Sequence, residues 1–353
     1  MKNLKYIFLT SAIAVFLLSS LFSGCTKEGP QGPAGQDGKD ANTTCTQCHD
    51  MSDSLVTRIF QYDASRHALG STTYTSTQLA CAPCHSSQGF AEAILTNADT
   101  TKFPVVNAAP VNCRTCHNIH TTYTSADYSL KIASAFYPRF DKTKTLNLSF
   151  GGGSGNLCAR CHQAVKPNPW LTDPRGNDSL DISSSQWGPH HGAQALILAG
   201  MGAFEMGTSS FGNTPHKDFT TCSSCHQGGP QGNLVGGHTL RMSSSITNDN
   251  VSVCKACHAS IGNNFDLGGI QTEINNKINA LKERLAAANM LDTIPPPNPN
   301  YMLIKPGKYS QRDLAVFWNF QLAYTDRSLG VHNYLYTRDM LQAGIDYMNR
   351  RGK

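Results

Sequence analysis

The chain has 353 residues, a formal net charge of +5, and only 15% charged and 39% hydrophobic residues, with 13 cysteines and 13 histidines. Apolar periodicity is weak from residue 45 to 265, so that stretch cannot bury a conventional core unaided. The basic charge does not by itself argue for a nucleic-acid partner, for a reason given below.

The chain opens MKNLKYIFLTSAIAVFLLSSLFSGC. Lys2 and Lys5 precede an apolar stretch, residues 7–22, that Thr and Ser interrupt. This reads as a secretory signal over residues 1–24, too short and polar for a membrane span. Ser23 and Gly24 lead into Cys25, and the segment resembles a lipoprotein box whose cysteine is lipidated. Residues 25–44 contain Gly-X-Y triplets, GPQGPAGQDGKD, too few for a triple helix. They are expected to form an extended tether.

Twelve of the cysteines then recur in one pattern, C-x-x-C-H. The copies are Cys45, Cys48 and His49; Cys81, Cys84 and His85; Cys113, Cys116 and His117; Cys158, Cys161 and His162; Cys222, Cys225 and His226; and Cys254, Cys257 and His258. This is the attachment signature of c-type haem. On a helical turn, residues i, i+3 and i+4 share a face, so two thiols reach the vinyl groups of one haem while the histidine reaches its iron. A zinc knuckle needs pairs that converge two by two and has no use for a histidine after each pair. Six covalently attached haems are the expectation. They would add about twelve propionates, reversing the sign of the net charge and removing the case for nucleic acid. The motifs are irregularly spaced, which argues against a simple tandem repeat.

Seven histidines remain: His67, His120, His190, His191, His216, His238 and His332. Six irons with two protein ligands each need six of them. An isolated histidine is usually a surface or hydrogen-bonding residue, but here the supply nearly equals the demand. His120 follows His117 too closely to reach the opposite face of the same porphyrin, so it is expected to serve a neighbouring haem. The adjacent His190 and His191 contain the expected surplus, with no basis for choosing between them. Met201, Met206 and Met242 could replace a histidine at one iron but read more simply as packing residues.

After Gly268-Gly269 the texture changes. Ile270, Ile274, Ile278, Leu281 and Leu285 predict an amphipathic helix, and the proline run 294–300 follows it. Ser310 is placed to cap a second helix carrying Leu314, Phe317, Trp318 and Tyr324. A break at Gly330 and a third helix from about Asn333 to Arg350 complete the chain. The expected fold class is mainly α with much irregular loop, organised around six haems over residues 45–265. A C-terminal helical region, residues 266–353, is expected to pack on that core.

The segment DRSLGVHNYLYTRDML, residues 326–341, resembles the D-x-S-x-G-x-H-N-P-x-Y segment of ammonia-forming cytochrome c nitrite reductases and related multihaem cytochromes. CAPCHSSQGF, CRTCHNIH, WGPHHGAQ and GGHTLRM are similar to other segments of that wider group. The resemblance implies that His332 is a distal haem ligand. Tyr334 stands where the family has proline. All six motifs here end in histidine, whereas those reductases mark the catalytic haem with a lysine, so the resemblance does not imply a catalytic assignment.

The leading expectation is an exported, lipid-anchored hexahaem cytochrome of the bacterial envelope, periplasmic or outer-membrane facing. It would pass electrons between partners such as a quinol-oxidising complex or other cytochromes. One alternative is a reductase or oxidase of small nitrogen or sulfur compounds with one open haem, near His190 or His191 with Gln194. Another is a homo-oligomeric haem wire.

Overall fold

The computed structural model describes residues 45–46, 49, 53–131, 134–150, 154–190, 192–207, 210–247, 249–292 and 302–351. The signal segment, Cys25, the tether, Cys48, His191 and the proline run 294–300 lie outside them. The chain divides into two units, Met1–Cys45 and Thr46–Lys353. The description that follows concerns the second.

The architecture is helical with long irregular connections, as the sequence predicts at that level. In chain order the helices are α1 (Asp53–Asp63), α2 (Ala82–His85), α3 (Ser87–Thr96), α4 (Cys113–Cys116), α5 (Ser154–Ala159), α6 (Gln194–Ala199), α7 (His216–Phe219) and α8 (Cys222–His226). Three longer helices follow: α9 (Ile270–Ala287), α10 (Gln311–Asp326) and α11 (Tyr334–Arg350). Strands β1 (Ser179–Ile182) and β2 (Gly307–Ser310) pair antiparallel, with Ser179 opposite Ser310 and Ile182 opposite Gly307. That pairing delivers Ser310 to the start of α10, where its hydroxyl accepts the Asp313 N–H at 3.1 Å. This is the predicted cap.

The apolar side chains are unevenly distributed. One cluster joins Phe136, Leu146, Trp187 and Leu196 to the inner faces of α9, α10 and α11. Among the described residues before 130, only Phe90 belongs to a buried hydrophobic cluster, a second, small group with Leu157. Burial on folding is therefore supplied mainly by the C-terminal helices and the connections laid against them. The N-terminal motifs are held instead by loops, turns and side-chain hydrogen bonds.

The predicted stripe on α9 buries Ile274, Ile278, Leu281 and Leu285. It packs on α11, where Gly344 permits close approach; a Cβ there would lie 3.0 Å from a Leu281 methyl. Helix α10 is buried nearly all round, polar residues included, which identifies it as the central helix rather than a surface one. Its polar side chains bind backbone that lacks regular structure. Asn319 donates to the Phe204 carbonyl at 2.7 Å and accepts the Phe204 N–H at 2.8 Å. Gln311 accepts from the Thr172 and Asp173 N–H groups. Trp318 donates to the Gly202 carbonyl at 2.7 Å and meets Trp170 edge-on at 5.0 Å between centroids. A buried donor or acceptor without a partner is costly, so these contacts fix the path of the loops that α10 covers.

The break after α10 comes at Arg327 (φ 64), ahead of Gly330, because the Asp326 carboxylate turns to the following residues instead of continuing the helix. Gly330 (φ 93) then supports the reversal, and a Cβ there would meet Ile274 at 2.9 Å. Asn333 caps α11, accepting the Tyr336 N–H.

Candidate functional site

Each described C-x-x-C-H motif forms the helical turn its chemistry requires. In the second, third, fourth and sixth copies the histidine N–H donates to the carbonyl of the first cysteine, at 2.8–3.1 Å. The fifth copy is helix α8 itself. Local sequence accounts for two of these turns. Asn112 and Thr115 make a reciprocal capping box at α4, and Thr221 and Ser224 make another at α8. His49 of the first motif is helical and exposed.

The structure brings each motif histidine face to face with one histidine from elsewhere. Ring centroids are 6.2 Å apart for His49 and His120, 6.1 Å for His67 and His162, and 6.2 Å for His85 and His190. They are 6.1 Å apart for His117 and His238, 6.1 Å for His216 and His258, and 6.3 Å for His226 and His332. His120 thus lies opposite His49 of the first motif and not its own neighbour His117. His190 lies opposite His85, whereas sequence alone left His190 and His191 equal. Met201 and Met206 pack against the main core.

The separation is diagnostic of what fits between the rings. A ring centroid lies about 1.1 Å from its nitrogen, and two metal–nitrogen bonds of about 2 Å each place centroids roughly 6.2 Å apart across one metal ion. All six pairs match that value within about 0.1 Å. With thiols presented on the adjoining turn, the donor set at each described pair fits a covalently attached haem with two imidazole ligands.

Hydrogen bonds select the tautomer such a site needs. Nδ1 of His85 shares a hydrogen bond with the Thr72 hydroxyl (2.7 Å), in which either can donate, and Nδ1 donates to the Tyr128 carbonyl from His117 (2.7 Å). From His162 it donates to Gln194 Oε1 (3.0 Å), and from His216 to the Val331 carbonyl (2.8 Å). From His226 it donates to the Leu240 carbonyl (2.9 Å), and from His332 to Asp326 Oδ1 (2.6 Å). Donation from Nδ1 leaves the Nε2 lone pair free for a metal and fixes the ring plane. Burial also favours the neutral ring, pushing His67 down to about 4 and lowering His162, His226 and His238. His332 goes the other way: burial lowers it, but the Asp326 charge and hydrogen bond outweigh burial.

The backbone is arranged around these rings. His120 (φ 61) and His190 (φ 63) occupy the left-handed region, a conformation held only where surroundings impose it. His238 sits on a short turn whose N–H donates to Gln61 Oε1 of α1 at 3.0 Å. The Asn333 side chain accepts from the Thr214 N–H and hydroxyl and donates to Asn213, gripping the strand that leads into His216. Residues 326–333 therefore orient two of the paired histidines, His332 directly and His216 through Val331.

The motifs also touch one another. The Cys84 thiol donates to the Arg160 carbonyl at 3.8 Å and the Cys161 thiol to the Pro83 carbonyl at 3.7 Å, so the second and fourth motifs meet reciprocally. The helix turns of the fourth and fifth motifs, α5 and α8, pack on each other. Cys116 and Cys161 pack on the same Phe90–Leu157 cluster, joining the third to the fourth.

Sequence reasoning missed the residues behind the histidines: Thr72, Gln61, Arg114 and above all Asp326. Asp326 was visible in the quoted D-x-S-x-G-x-H segment, but its contact with His332 depends on the chain reversal after α10. Gln194 accepts from His162 Nδ1 and so orients that ring.

No known family description and no curated protein matches the chain. Among solved structures the chain is similar to the outer cell wall cytochrome OcwA, with 16% sequence identity and a TM-score of 0.48. The match covers 82% of this chain and 49% of that one, so the chain spans about half the length of that protein.

Proposed function

We propose that this chain is a hexahaem c-type cytochrome that moves electrons between redox partners at the cell envelope. The observation that carries the reading is the set of six imidazole pairs, each joining one motif histidine to one histidine from outside the motifs. A haem bound at each pair supplies reversible exchange between ferric and ferrous iron. At each pair the two imidazoles would be the iron's protein ligands, which would favour electron exchange over substrate binding, and the Nδ1 contacts would hold the rings still. The contacts of the fourth motif with the second, third and fifth support a continuous path with that motif at its centre. The first motif joins through the neighbours His117 and His120, and the sixth through His216, just ahead of α8. In this reading Cys25 carries the lipid, residues 29–40 form the tether, and the donor is a quinol-oxidising complex or another cytochrome.

Intact-mass spectrometry and a haem-to-protein ratio of the exported protein test the reading. Six haems per chain and low-spin ferric spectra are expected. Disulfides between Cys84 and Cys161 or between Cys158 and Cys222, with a correspondingly low haem count, would overturn it.

A further inference from the structure

Of the contacts in which Nδ1 of a paired histidine can only donate, one is to a charged acceptor. His117, His162, His216 and His226 donate to neutral oxygens, whereas His332 donates to a carboxylate, Asp326 Oδ1, at 2.6 Å. The Asp326 side chain is 1% exposed and that of His332 is 21% exposed. The second carboxylate oxygen accepts the Ser328 N–H at 3.3 Å and the Ser328 hydroxyl. The same hydroxyl oxygen accepts the His332 N–H at 3.2 Å, closing a compact ring of contacts. The opposite histidine, His226, binds only the neutral Leu240 carbonyl through Nδ1.

A short hydrogen bond to a buried anion pulls the Nδ1 proton away from the ring and raises electron density at Nε2. A ligand so enriched stabilises ferric iron more than ferrous iron. The anion also acts directly through a medium of low effective dielectric, favouring the more positive oxidation state. The two effects share a sign. We propose that Asp326 is a positioning and tuning residue that lowers the reduction potential of the haem between His226 and His332 through the His332 ring. This rests on the hexahaem reading. It explains why an acidic residue is buried in a chain reversal where a neutral acceptor would suffice to hold the ring. It also makes the C-terminal segment, which binds no haem covalently, the element that sets one step of the potential ladder.

The test is a spectropotentiometric titration of the full-length holoprotein and two variants, with haem content and low-spin EPR intensity recorded on each. Asp326→Asn keeps an oxygen for Nδ1 and removes the charge. One of six centres should move to higher potential while five stay in place and the low-spin count holds at six. Ser328→Ala withdraws a donor from the carboxylate and should move the same centre to lower potential. The centre is identified as the one whose low-spin signal His332→Ala removes. Six haems with unchanged potentials in both variants, or equal shifts at all six, overturn the role of Asp326. A wild-type chain without six haems overturns the hexahaem reading instead. If Asp326→Asn does not accumulate, the Ser328→Ala shift decides alone.

Discussion

His226 of α8 and His332 ahead of α11 face each other at 6.3 Å between ring centroids, although 106 positions separate them along the chain. The pairing ties the three long helices to the motif region by more than apolar contact. On the hexahaem reading, His332→Ala is expected to remove one low-spin ferric centre of six without changing the haem content, since Cys222 and Cys225 would keep their thioether bonds. An EPR spectrum with an unchanged low-spin count would remove His332 from the coordination set.

At the first motif the distal ring is held differently. Arg114 Nη2 lies 2.9 Å from His120 Nδ1, and a guanidinium can only donate. That contact asks for a bare Nδ1, whereas binding iron through Nε2 asks Nδ1 to carry the proton. On the hexahaem reading, His120 would therefore bind iron against the pull of Arg114. Added cyanide or imidazole should bind the ferric protein at one haem first, and Arg114→Leu should slow that uptake. Equal uptake by the two proteins would show that the arginine has no such effect.

The ring planes divide the six pairs into two classes. His216 with His258, His67 with His162, and His85 with His190 are near perpendicular, at 87°, 69° and 67°. The pairs His49 with His120, His226 with His332, and His117 with His238 are flatter, at 40°, 39° and 25°. Crossed imidazole planes leave two iron d orbitals nearly equal in energy, and aligned planes separate them. Low-temperature EPR should resolve about equal populations of highly anisotropic and rhombic low-spin signals. A single rhombic class would contradict the crossed geometry.

Asp266 holds the start of α9. It accepts the Thr272 hydroxyl at 2.6 Å and the N–H groups of Thr272 and Gln271 at 3.1 and 2.7 Å. The Thr272 contacts lead in holding its carboxyl below the usual range, against a smaller opposing effect of burial. A depressed native pKa contributes stability above the unfolded value of about 4 and loses it as pH falls through the native value. Thermal melts of wild type and Asp266→Asn should differ at neutral pH and converge in acid. A difference independent of pH would place the effect elsewhere.

Trp318 is buried between Trp170, Phe140 and Phe204, and its indole N–H satisfies the Gly202 carbonyl. Trp318→Ala should cost about 3–5 kcal/mol, through the cavity and the orphaned carbonyl together. Denaturant unfolding checks this, and a loss under about 1 kcal/mol would mean the core closes over the gap.

The six motif turns, the stripe on α9, the Ser310 cap and the supply of spare histidines were legible in the order of residues. They depend on contacts within a few positions, where spacing dictates geometry. The choice of partner for each histidine was not legible. His190 meets His85, and His120 meets His49, because loops with left-handed residues and side-chain anchors bring distant segments together. The same holds for α10. Its sequence reads as a helix capped by Ser310 and carrying Leu314, Phe317, Trp318 and Tyr324, but its polar residues are also buried because they satisfy the backbone of loops from elsewhere in the chain. Asp326 shows the division most clearly. Its identity and its distance from His332 along the chain were plain. Its burial, and with it the charge that His332 feels, exists only once α10 ends at Arg327 and the chain folds back over Ile274.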